Sequence, residues 1–450
     1  MPCVLLTNPL NETSSDLIVL DKFDVAIIGG GLLGTSISYW LSSLYDIKIA
    51  VVEKEPDVGM HTSSRNTGVV HSPFYLNPEK KGKLAKAAFL SHDMWKTFAA
   101  KNALPWNMVG TIEVALDESR HKILEKYMDW GPKNGMSEKD LVLLDGNEVA
   151  KKEPNIQCHS AIHCKTDTVV DYGKYTRRLK EESQKNGTKF LLNRKLESVE
   201  NTYDSSLLGF ENKEKLHSKF VINCSGGYSL DVAKKFGLAT EYSSLHFRGE
   251  YWIAREQYAN LVKTNVYSVP NYPDFPFLDP HWIIRSDGKS EVGPNAVPVA
   301  SPETYSGYVG DVETFISKLA DVVTGSTRKL LLNPEFLNLI AKEWLSSLSK
   351  VAMIERVQKF MPKIKPDFFS ERGTAGIRTP IITPQGKFLP DVLELEGKNS
   401  YHILNYNSPG ATGAPAYSAY VVKSLQEKGF LQYTIRKTDS IWDFDTVIQD

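Results

Sequence analysis

The sequence lacks the features that mark several large classes of protein. No uninterrupted apolar run reaches the length of about 18 residues that indicates a membrane-spanning helix. The formal net charge is −1, and there is no basic tract of the kind that neutralises a phosphate backbone. Nucleic acid is therefore not an expected partner. Repeats and low-complexity segments are also absent from the sequence, which leaves an ordinary globular protein.

Cysteine is scarce, with four residues at positions 3, 158, 164 and 224 and no paired CxxC spacing. This excludes the usual zinc and iron–sulfur patterns, so we expect buried free thiols and no metal site. The first 22 residues contain acidic side chains, a single Lys and no Arg, unlike secretory or Arg-rich transit signals. We expect a cytoplasmic protein with a short extension at residues 1–22.

The 450 residues, of which 41% are hydrophobic and 24% charged, are too many for one ordinary core. We expect two domains. Amphipathic spacing predicts surface helices at 80–101, 117–135 and 171–186, and more helix between 312 and 360. Short apolar runs broken by proline between residues 245 and 300 predict an antiparallel sheet.

A dinucleotide-binding unit is predicted at residues 23–53. The apolar run FDVAIIGG is typical of a strand buried on both faces, residues 32–44 have helical spacing, and IKIAVVEKE predicts a second strand that ends at Glu53. The turn between strand and helix contains GxGxxG, with Gly29 for the tight turn, Gly31 for the approach of the pyrophosphate, and Gly34 for helix–strand packing. Glu53 is placed to bind the hydroxyls of an adenosine ribose.

A second apolar strand, FVINCSGG at residues 220–227, is typical of a chain that returns to the nucleotide-binding sheet. The dinucleotide-binding domain is therefore predicted to be discontinuous. These patterns alone do not distinguish FAD from NAD.

The segment HTSSRNTGVVH, residues 61–71, resembles the stretch that runs under the flavin ring in the D-amino-acid oxidase superfamily of FAD-dependent oxidoreductases. The resemblance extends from residue 23 to about 425 and is strongest to the L-2-hydroxyglutarate oxidase/dehydrogenase branch. The stretches that carry it include VVDYGKY, FRGEYW, RSDGKSEVGPNAV, GTAGIR and NSPGATGAPA. The chain departs from that branch at Arg65, at Ser72-Pro73-Phe74 and at Asp279-Pro280, where substrate specificity would be set.

The resemblance implies an α/β fold with a discontinuous Rossmann-like FAD-binding domain and an α+β substrate domain that contains an antiparallel sheet. We expect the FAD-binding domain at residues 23–90, 155–242 and 370–430, the substrate domain at 91–154 and 243–369, and a C-terminal tail at 431–450.

FAD is the cofactor that the resemblance implies, bound noncovalently. The residues expected to bind it, beside Gly29, Gly31, Gly34 and Glu53, are Lys54, Ser64, Arg65, Asn66, Thr67, Gly68, Val70, Gly226, Gly376, Arg378, Pro409, Gly410, Ala411 and Thr412. The last four precede an apolar helix predicted from about residue 412 to 425, whose N-terminus would stabilise negative charge on the reduced flavin.

Three residues are candidates for catalysis. Arg285, in RSDG, matches the arginine that pairs with the substrate carboxylate in related flavoenzymes, with Arg65 and Arg378 as alternatives. His71 is the first candidate for the base that accepts the hydroxyl proton, and His281 is the second. Each histidine could instead be structural.

The favoured hypothesis is oxidation of a small 2-hydroxy acid, similar to L-2-hydroxyglutarate, to the 2-oxo acid. Alternatives are a glycerol-3-phosphate dehydrogenase or amino-acid oxidase of the same superfamily, and a flavin-binding assembly factor without turnover. The electron acceptor is open among oxygen, a quinone and a carrier protein. A quinone would require peripheral membrane contact, which the stretch NPEFLNLIAKEWLSSL could supply, although the same stretch could equally be buried in the core.

Overall fold

The computed structural model describes residues 19–272, 275–277, 279–308, 316, 327–435 and 440–449. Most of the predicted N-terminal extension and part of the predicted helical region at 312–360 lie outside the described residues. Two large sheets and three small ones make up the β-structure of this part of the chain.

The first large sheet contains the predicted dinucleotide-binding unit. Its strands, in spatial order, are β10 (Leu196–Asn201), β11 (Ser206–Phe210), β12 (Lys215–Asn223), β1 (Val19–Ile28), β2 (Ile49–Val52) and β9 (Lys189–Leu191), with β24 (Ser400–Leu404) beside β12 and β23 (Leu393–Gly397) beside β24. The strand β1 runs parallel to both β2 and β12. The return of the chain at FVINCSGG to the nucleotide-binding sheet is thus confirmed.

The second large sheet is mainly antiparallel. Its strands, in spatial order, are β20 (Phe369–Arg372), β15 (Trp252–Ala254), β18 (Ser290–Gly293), β17 (His281–Ile284), β16 (Asn265–Ser268), β5 (Thr111–Ala115), β7 (Ser160–Cys164) and β6 (Leu141–Asp145). Only the pair β16–β5 is parallel among these strands. The antiparallel sheet predicted from residues 245–300 is present.

Three small sheets join neighbouring segments. They are β3 (Val69–Val70), β8 (Thr168–Val169) and β4 (Asn107–Met108); β19 (Val297–Val299), β14 (His246–Gly249) and β21 (Gly376–Arg378); and β13 (Ser243–Ser244) with β22 (Ile381–Ile382).

The amphipathic stretches predicted at 80–101, 117–135 and 171–186 are helices, and the described part of 312–360 contains further helices, whereas three short helices at 146–152, 229–235 and 444–449 were not predicted. The α-helices of the described residues are α1 (Leu32–Leu44), α2 (Pro78–Asn102), α3 (Glu118–Lys133), α4 (Gly146–Lys152), α5 (Tyr172–Lys185), α6 (Ser229–Lys235), α7 (Thr327–Leu330), α8 (Pro334–Leu348), α9 (Lys350–Gln358), α10 (Gly410–Glu427) and α11 (Phe444–Gln449). Gly187 has a φ of +96°, the left-handed conformation expected just beyond the end of α5. None of the described helices is both long enough and apolar enough to span a bilayer.

The core of the first sheet extends into the C-terminal residues. Trp442 is buried, and its ring centroid lies 5.7 Å from those of Trp40 and Trp95. The helices α2 and α10 pack closely, since the backbone N–H of Ala416 donates to the Ser91 hydroxyl at 3.1 Å. Of the predicted free thiols, those of Cys164 and Cys224 are buried, and that of Cys158 is partly exposed.

The domain boundaries stay a prediction, and we propose three shifts that follow the sheets and cores. Residues 91–102 of α2 and the C-terminal residues 440–449 belong with the first sheet, because they pack in its core. The strand β7 belongs with the second sheet, where it pairs with β5 and β6.

Candidate active site

The glycine loop joins β1 to α1 with very little space around it. Gly29 has a φ of +105°, and a Cβ atom there would come within 2.5 Å of the carbonyl oxygen of Cys224. A Cβ atom on Gly34 would lie 2.0 Å from the carbonyl oxygen of Gly29. Both positions therefore require glycine, the first for the turn and the second for the contact between helix and strand.

Glu53 follows β2 directly, and its carboxylate is held in place by the backbone. Oε2 accepts the N–H of Gly30 at 2.8 Å, and Oε1 accepts the N–H of Glu55 at 2.9 Å. Each carboxylate oxygen can accept a second hydrogen bond. Glu53 lines a cavity, so these remaining positions can receive the hydroxyls of a ribose.

The cavity has a volume of about 640 Å³ and lies between the two large sheets. Ile28 and Val52, at the ends of β1 and β2, line it from the first sheet, and Tyr267 and His281 line it from the second. Crevices at the carboxyl ends of parallel strands are the usual position for dinucleotides in α/β folds.

Most of the predicted cofactor residues line this cavity. Those that line it are Gly29, Gly31, Glu53, Lys54, Arg65, Asn66, Thr67, Gly226, Gly376, Arg378, Pro409, Gly410, Ala411 and Thr412. Those that do not line it are Gly34, Ser64, Gly68 and Val70. Gly68 has a φ of +74° and its carbonyl accepts the N–H of Val170, so it shapes the backbone beside the cavity.

Two helix N-termini meet the cavity. The helix α1 begins at Leu32, whose N–H donates to the Ser63 hydroxyl at 2.8 Å. The helix α10 begins at Gly410, two residues before the predicted start, and its first turn contains no acidic residue. Both ends present a partial positive charge to the cavity, which favours phosphate at one end and a reduced flavin at the other.

His71 and Asp167 form a pair at the part of the cavity next to the N-terminus of α10. Nδ1 of His71 lies 3.2 Å from Oδ2 of Asp167, and the backbone N–H of His71 donates to the Thr412 hydroxyl at 3.0 Å. His71 lines the cavity, and Asp167 is completely buried behind it. Asp167 was not predicted from the sequence, because its only signal is a polar triplet between two apolar strands.

His281, the other candidate base, is completely buried and lines the same part of the cavity. Its ring stacks on Tyr267 with 4.1 Å between centroids, and its Nδ1 lies 3.1 Å from the carbonyl oxygen of Asp279. Burial lowers the pKa of His281 to about 3, so the ring stays neutral near pH 7. Among the described residues, no group forms a hydrogen bond with its buried Nε2.

The two arginines near this part of the cavity differ in their partners. Arg285 does not line the cavity, since its Nε donates to Glu291 Oε2 at 2.9 Å, its Nη2 donates to the same oxygen at 2.5 Å, and its Nη1 donates to the carbonyl oxygen of Asn66. Arg378 lines the cavity and donates to the carbonyl oxygen of Pro276. Burial lowers the pKa of Arg378, and no carboxylate pairs with it among the described residues.

A charged cluster lies at the mouth of the cavity. Glu55, His61 and Glu303 are close enough together to hold a metal ion. The ammonium of Lys54, however, forms ion pairs with both Glu55 and Glu303. Burial alone would lower the pKa of Lys54, but the hydrogen bonds with these carboxylates outweigh it and raise that pKa. A protonated lysine thus offsets part of the negative charge of the cluster, and the expectation of no metal stays a prediction.

The residues of the cavity fit FAD. The carboxylate of Glu53 and the N-terminus of α1 match the adenosine and the pyrophosphate, and the N-terminus of α10 lies in the part that contains His71. A dinucleotide-binding sheet, a mainly antiparallel second sheet and a cavity between them define a two-domain dinucleotide-dependent oxidoreductase.

Comparison with known families identifies the family within this class of oxidoreductases. Residues 24–424 match the family described as DAO, FAD dependent oxidoreductase. The chain therefore belongs to this family of flavoproteins, and its cofactor is FAD.

Similar proteins cover nearly the whole chain. It is 29% identical to the mitochondrial L-2-hydroxyglutarate dehydrogenase of Caenorhabditis elegans, over 89% of this chain and 93% of that one. It is 30% identical to the L-2-hydroxyglutarate dehydrogenase of Indibacter alkaliphilus, over 87% and 96%. The FAD-bound structure of L-α-glycerophosphate oxidase from Mycoplasma pneumoniae has the same fold, with a TM-score of 0.73, 20% identity and coverage of 94% and 97%.

Proposed function

We propose that the chain oxidises a small 2-hydroxy acid, similar to L-2-hydroxyglutarate, to the 2-oxo acid. The observation that carries the proposal is the presence of a partly buried arginine, Arg378, and an acid-paired histidine, His71, in one cavity that fits FAD. The relatives named L-2-hydroxyglutarate dehydrogenase support this substrate class.

Arg378 binds the substrate carboxylate in this proposal. A partly buried guanidinium without an acidic partner gains a charge-assisted, bidentate pair when a carboxylate arrives. Arg285 is less suited to the role, because Glu291 and the Asn66 carbonyl already engage its three nitrogens. The clamp predicted at Arg285 is therefore proposed for Arg378 instead.

His71 accepts the hydroxyl proton at Nε2, because Nδ1 faces Asp167. FAD, when bound, supplies the acceptor for the two electrons that leave the α-carbon. Tyr251, Tyr267 and His281 line the same part of the cavity and exclude water from it. Nε2 of His281 is an acceptor in its neutral form, which suits it to orient a hydroxyl group.

The similar proteins favour a dicarboxylate among the small 2-hydroxy acids, because the relatives are named for L-2-hydroxyglutarate. We infer that a substrate with a second carboxylate binds more tightly than one without it.

Anaerobic reduction of the flavin tests the proposal. We expect L-2-hydroxyglutarate to bleach the visible absorbance of the FAD-loaded protein faster than L-lactate, which lacks the second carboxylate. L-glycerol 3-phosphate and glycine test the two alternative activities of the superfamily. Reduction by one of these, with none by either 2-hydroxy acid, would contradict the proposal. No reduction by any of the four would favour an assembly factor.

The electron acceptor stays open among oxygen, a quinone and a carrier protein, and the cytoplasmic location stays a prediction. The stretch predicted to contact a membrane is α8, which exposes Leu337, Leu345 and Leu348. We propose that a quinone acceptor is reached through this helix. Sedimentation with anionic lipid vesicles checks it, since Leu345→Glu should abolish binding if α8 is the contact and leave it unchanged if it is not.

A further inference from the structure

Asp167 is placed in the turn between β7 and β8, with four donors around its carboxylate. Ser72 donates its backbone N–H to Oδ1 at 2.7 Å, and Thr111 donates its hydroxyl to Oδ2 at 2.7 Å. The Cys164 thiol lies 3.4 Å from Oδ1, and Nδ1 of His71 lies 3.2 Å from Oδ2. Burial alone would raise the pKa of Asp167, but hydrogen bonds from His71, Ser72 and Thr111 outweigh it and hold that pKa below its usual value.

We infer that Asp167 is the positioning residue that makes His71 a base. The inference deepens the proposed function and rests on its assignment of His71. An ionised carboxylate can only accept hydrogen bonds, so Nδ1 of His71 carries a proton. Nε2 then carries the lone pair, and the ring presents that lone pair to the cavity.

The proton balance of the step is simple. The O–H bond of the substrate breaks, an N–H bond forms at Nε2, and the imidazole becomes an imidazolium. Asp167 keeps its charge and takes up no proton, so it stabilises the imidazolium that forms. The negative charge of Asp167 therefore favours the protonated form of His71, which forms when His71 takes the proton of the substrate.

Side chains from several strands and helices surround the pair of His71 and Asp167. The titratable or charged groups around it are Tyr75, Glu113, Cys164, Tyr172, Tyr267, His281 and Arg378. Burial, and then the charge of Asp167, raise the pKa of Glu113 to about 8, so this acid is neutral near pH 7. Asp167 is therefore the ionised carboxylate beside His71 at that pH.

Glu113 also supplies a matched control. It is a buried acid on the same face of β5 as Thr111, and its change to glutamine is the same amide substitution as Asp167→Asn. An amide at 167 would offer an N–H to Nδ1 and reverse the tautomer of His71. An amide at 113 replaces an acid that is already neutral, and it leaves the tautomer unchanged.

The tautomer can be measured without any substrate. In the FAD-loaded protein with ¹⁵N-labelled histidine, we expect the His71 resonances to show a protonated Nδ1 and an unprotonated Nε2 at neutral or higher pH. Asp167→Asn should reverse the two, and Glu113→Gln should not. A wild-type His71 protonated at Nε2 would overturn the inference, whichever substrate the enzyme uses.

Kinetics supply the second readout. At saturating 2-hydroxy acid, Asp167→Asn should slow anaerobic flavin reduction by roughly 10²-fold or more, with FAD retained and little change in substrate affinity. The acid limb of the pH–rate profile should move to lower pH, because a negative charge beside the imidazolium is lost. An unchanged rate and profile in Asp167→Asn with bound FAD would contradict the inference. Failure of every 2-hydroxy acid to reduce the wild-type flavin would instead contradict the proposed function alone.

Thr111→Val covers the case in which Asp167→Asn does not fold. It removes one donor from Oδ2 and leaves the carboxylate charge more available to His71, so the acid limb should move to higher pH. Thr111→Ser keeps the donor and should restore the wild-type profile. A Thr111→Val profile that is identical to the wild type would count against the role of Asp167.

Discussion

At the scale of single residues, Arg378 and Arg285 are both near the reactive end of the cavity, and their partners separate their roles. Arg285 and Glu291 lie on one face of the β17–β18 hairpin, where diagonal pairs are within reach of long side chains. The turn SDG between the two strands is a signal from which this pairing could have been predicted. Among the described residues, Arg378 has no acidic partner close to it in the sequence. Its availability to a substrate carboxylate therefore becomes visible only in the folded structure.

We predict that alanine substitutions of the two arginines affect different properties, substrate binding for Arg378 and stability for Arg285. Arg378→Ala should weaken binding of the 2-hydroxy acid by about 30-fold, because charge-assisted hydrogen bonds at a partly buried site are worth about 2 kcal/mol. Arg285→Ala should instead destabilise the protein by about 3 kcal/mol, because it leaves Glu291 buried and unpaired. Substrate titration of the flavin absorbance and urea unfolding measure the two quantities. The reverse pattern would return the clamp to Arg285.

Only one residue of the pair His71–Asp167 could be predicted from the sequence. His71 could be predicted because it ends a segment that resembles the flavin-binding stretch of a known family. Asp167 is 96 residues away along the chain, and only the small sheet of β3 and β8 brings the two together. No local pattern encodes such a contact.

At the scale of elements, the β1–α1–β2 unit could be predicted in full, because its strand, glycines, helix and acid are local patterns with a required order. The α10 helix was predicted as well, but its start was placed at residue 412 instead of Gly410. Pro409 and Gly410 are weak formers of a helix interior, but Pro409 is only the N-cap and Gly410 the first helical residue, where their low propensity matters less.

The contact between α1 and β1 gives a prediction with an internal control. Gly34→Ala should abolish FAD binding and lower stability, because its Cβ atom would meet the Gly29 carbonyl oxygen at 2.0 Å. Gly82→Ala, in α2, meets nothing within 4 Å and should stabilise the protein by about 0.5–1 kcal/mol. Flavin absorbance after purification and thermal unfolding measure both effects. Retention of FAD by Gly34→Ala would show that the loop tolerates a wider turn.

At the scale of the whole molecule, the two-sheet architecture and the cofactor followed from the sequence, because the family resemblance covers most of the chain. The strand β7 and the C-terminal residues were harder to place. Both have apolar patterns that fit either core, and only the packing of Trp442 and the pairing of β7 with β5 assign them.

Burial of Glu113 in β5 predicts a dependence of stability on pH. Its pKa is raised from 4.5 to about 8, so the folded state holds a proton that the unfolded state has already released in this range. The free energy of unfolding should therefore fall as the pH rises from about 5 to 8 in the wild type, relative to Glu113→Gln. Urea unfolding of both proteins at pH 5 and pH 8 measures the difference. A constant difference across this range would mean that Glu113 is not protonated in the fold.

The most direct test of the central claim is an anaerobic single turnover of the FAD-loaded protein with L-2-hydroxyglutarate, followed by quantification of 2-oxoglutarate. We expect one 2-oxoglutarate formed for each flavin reduced, and, at a substrate concentration near the wild-type dissociation constant, much slower bleaching and product formation in the Arg378→Ala protein. A wild-type flavin that stays oxidised, or one that is bleached without formation of the 2-oxo acid, would contradict the central claim.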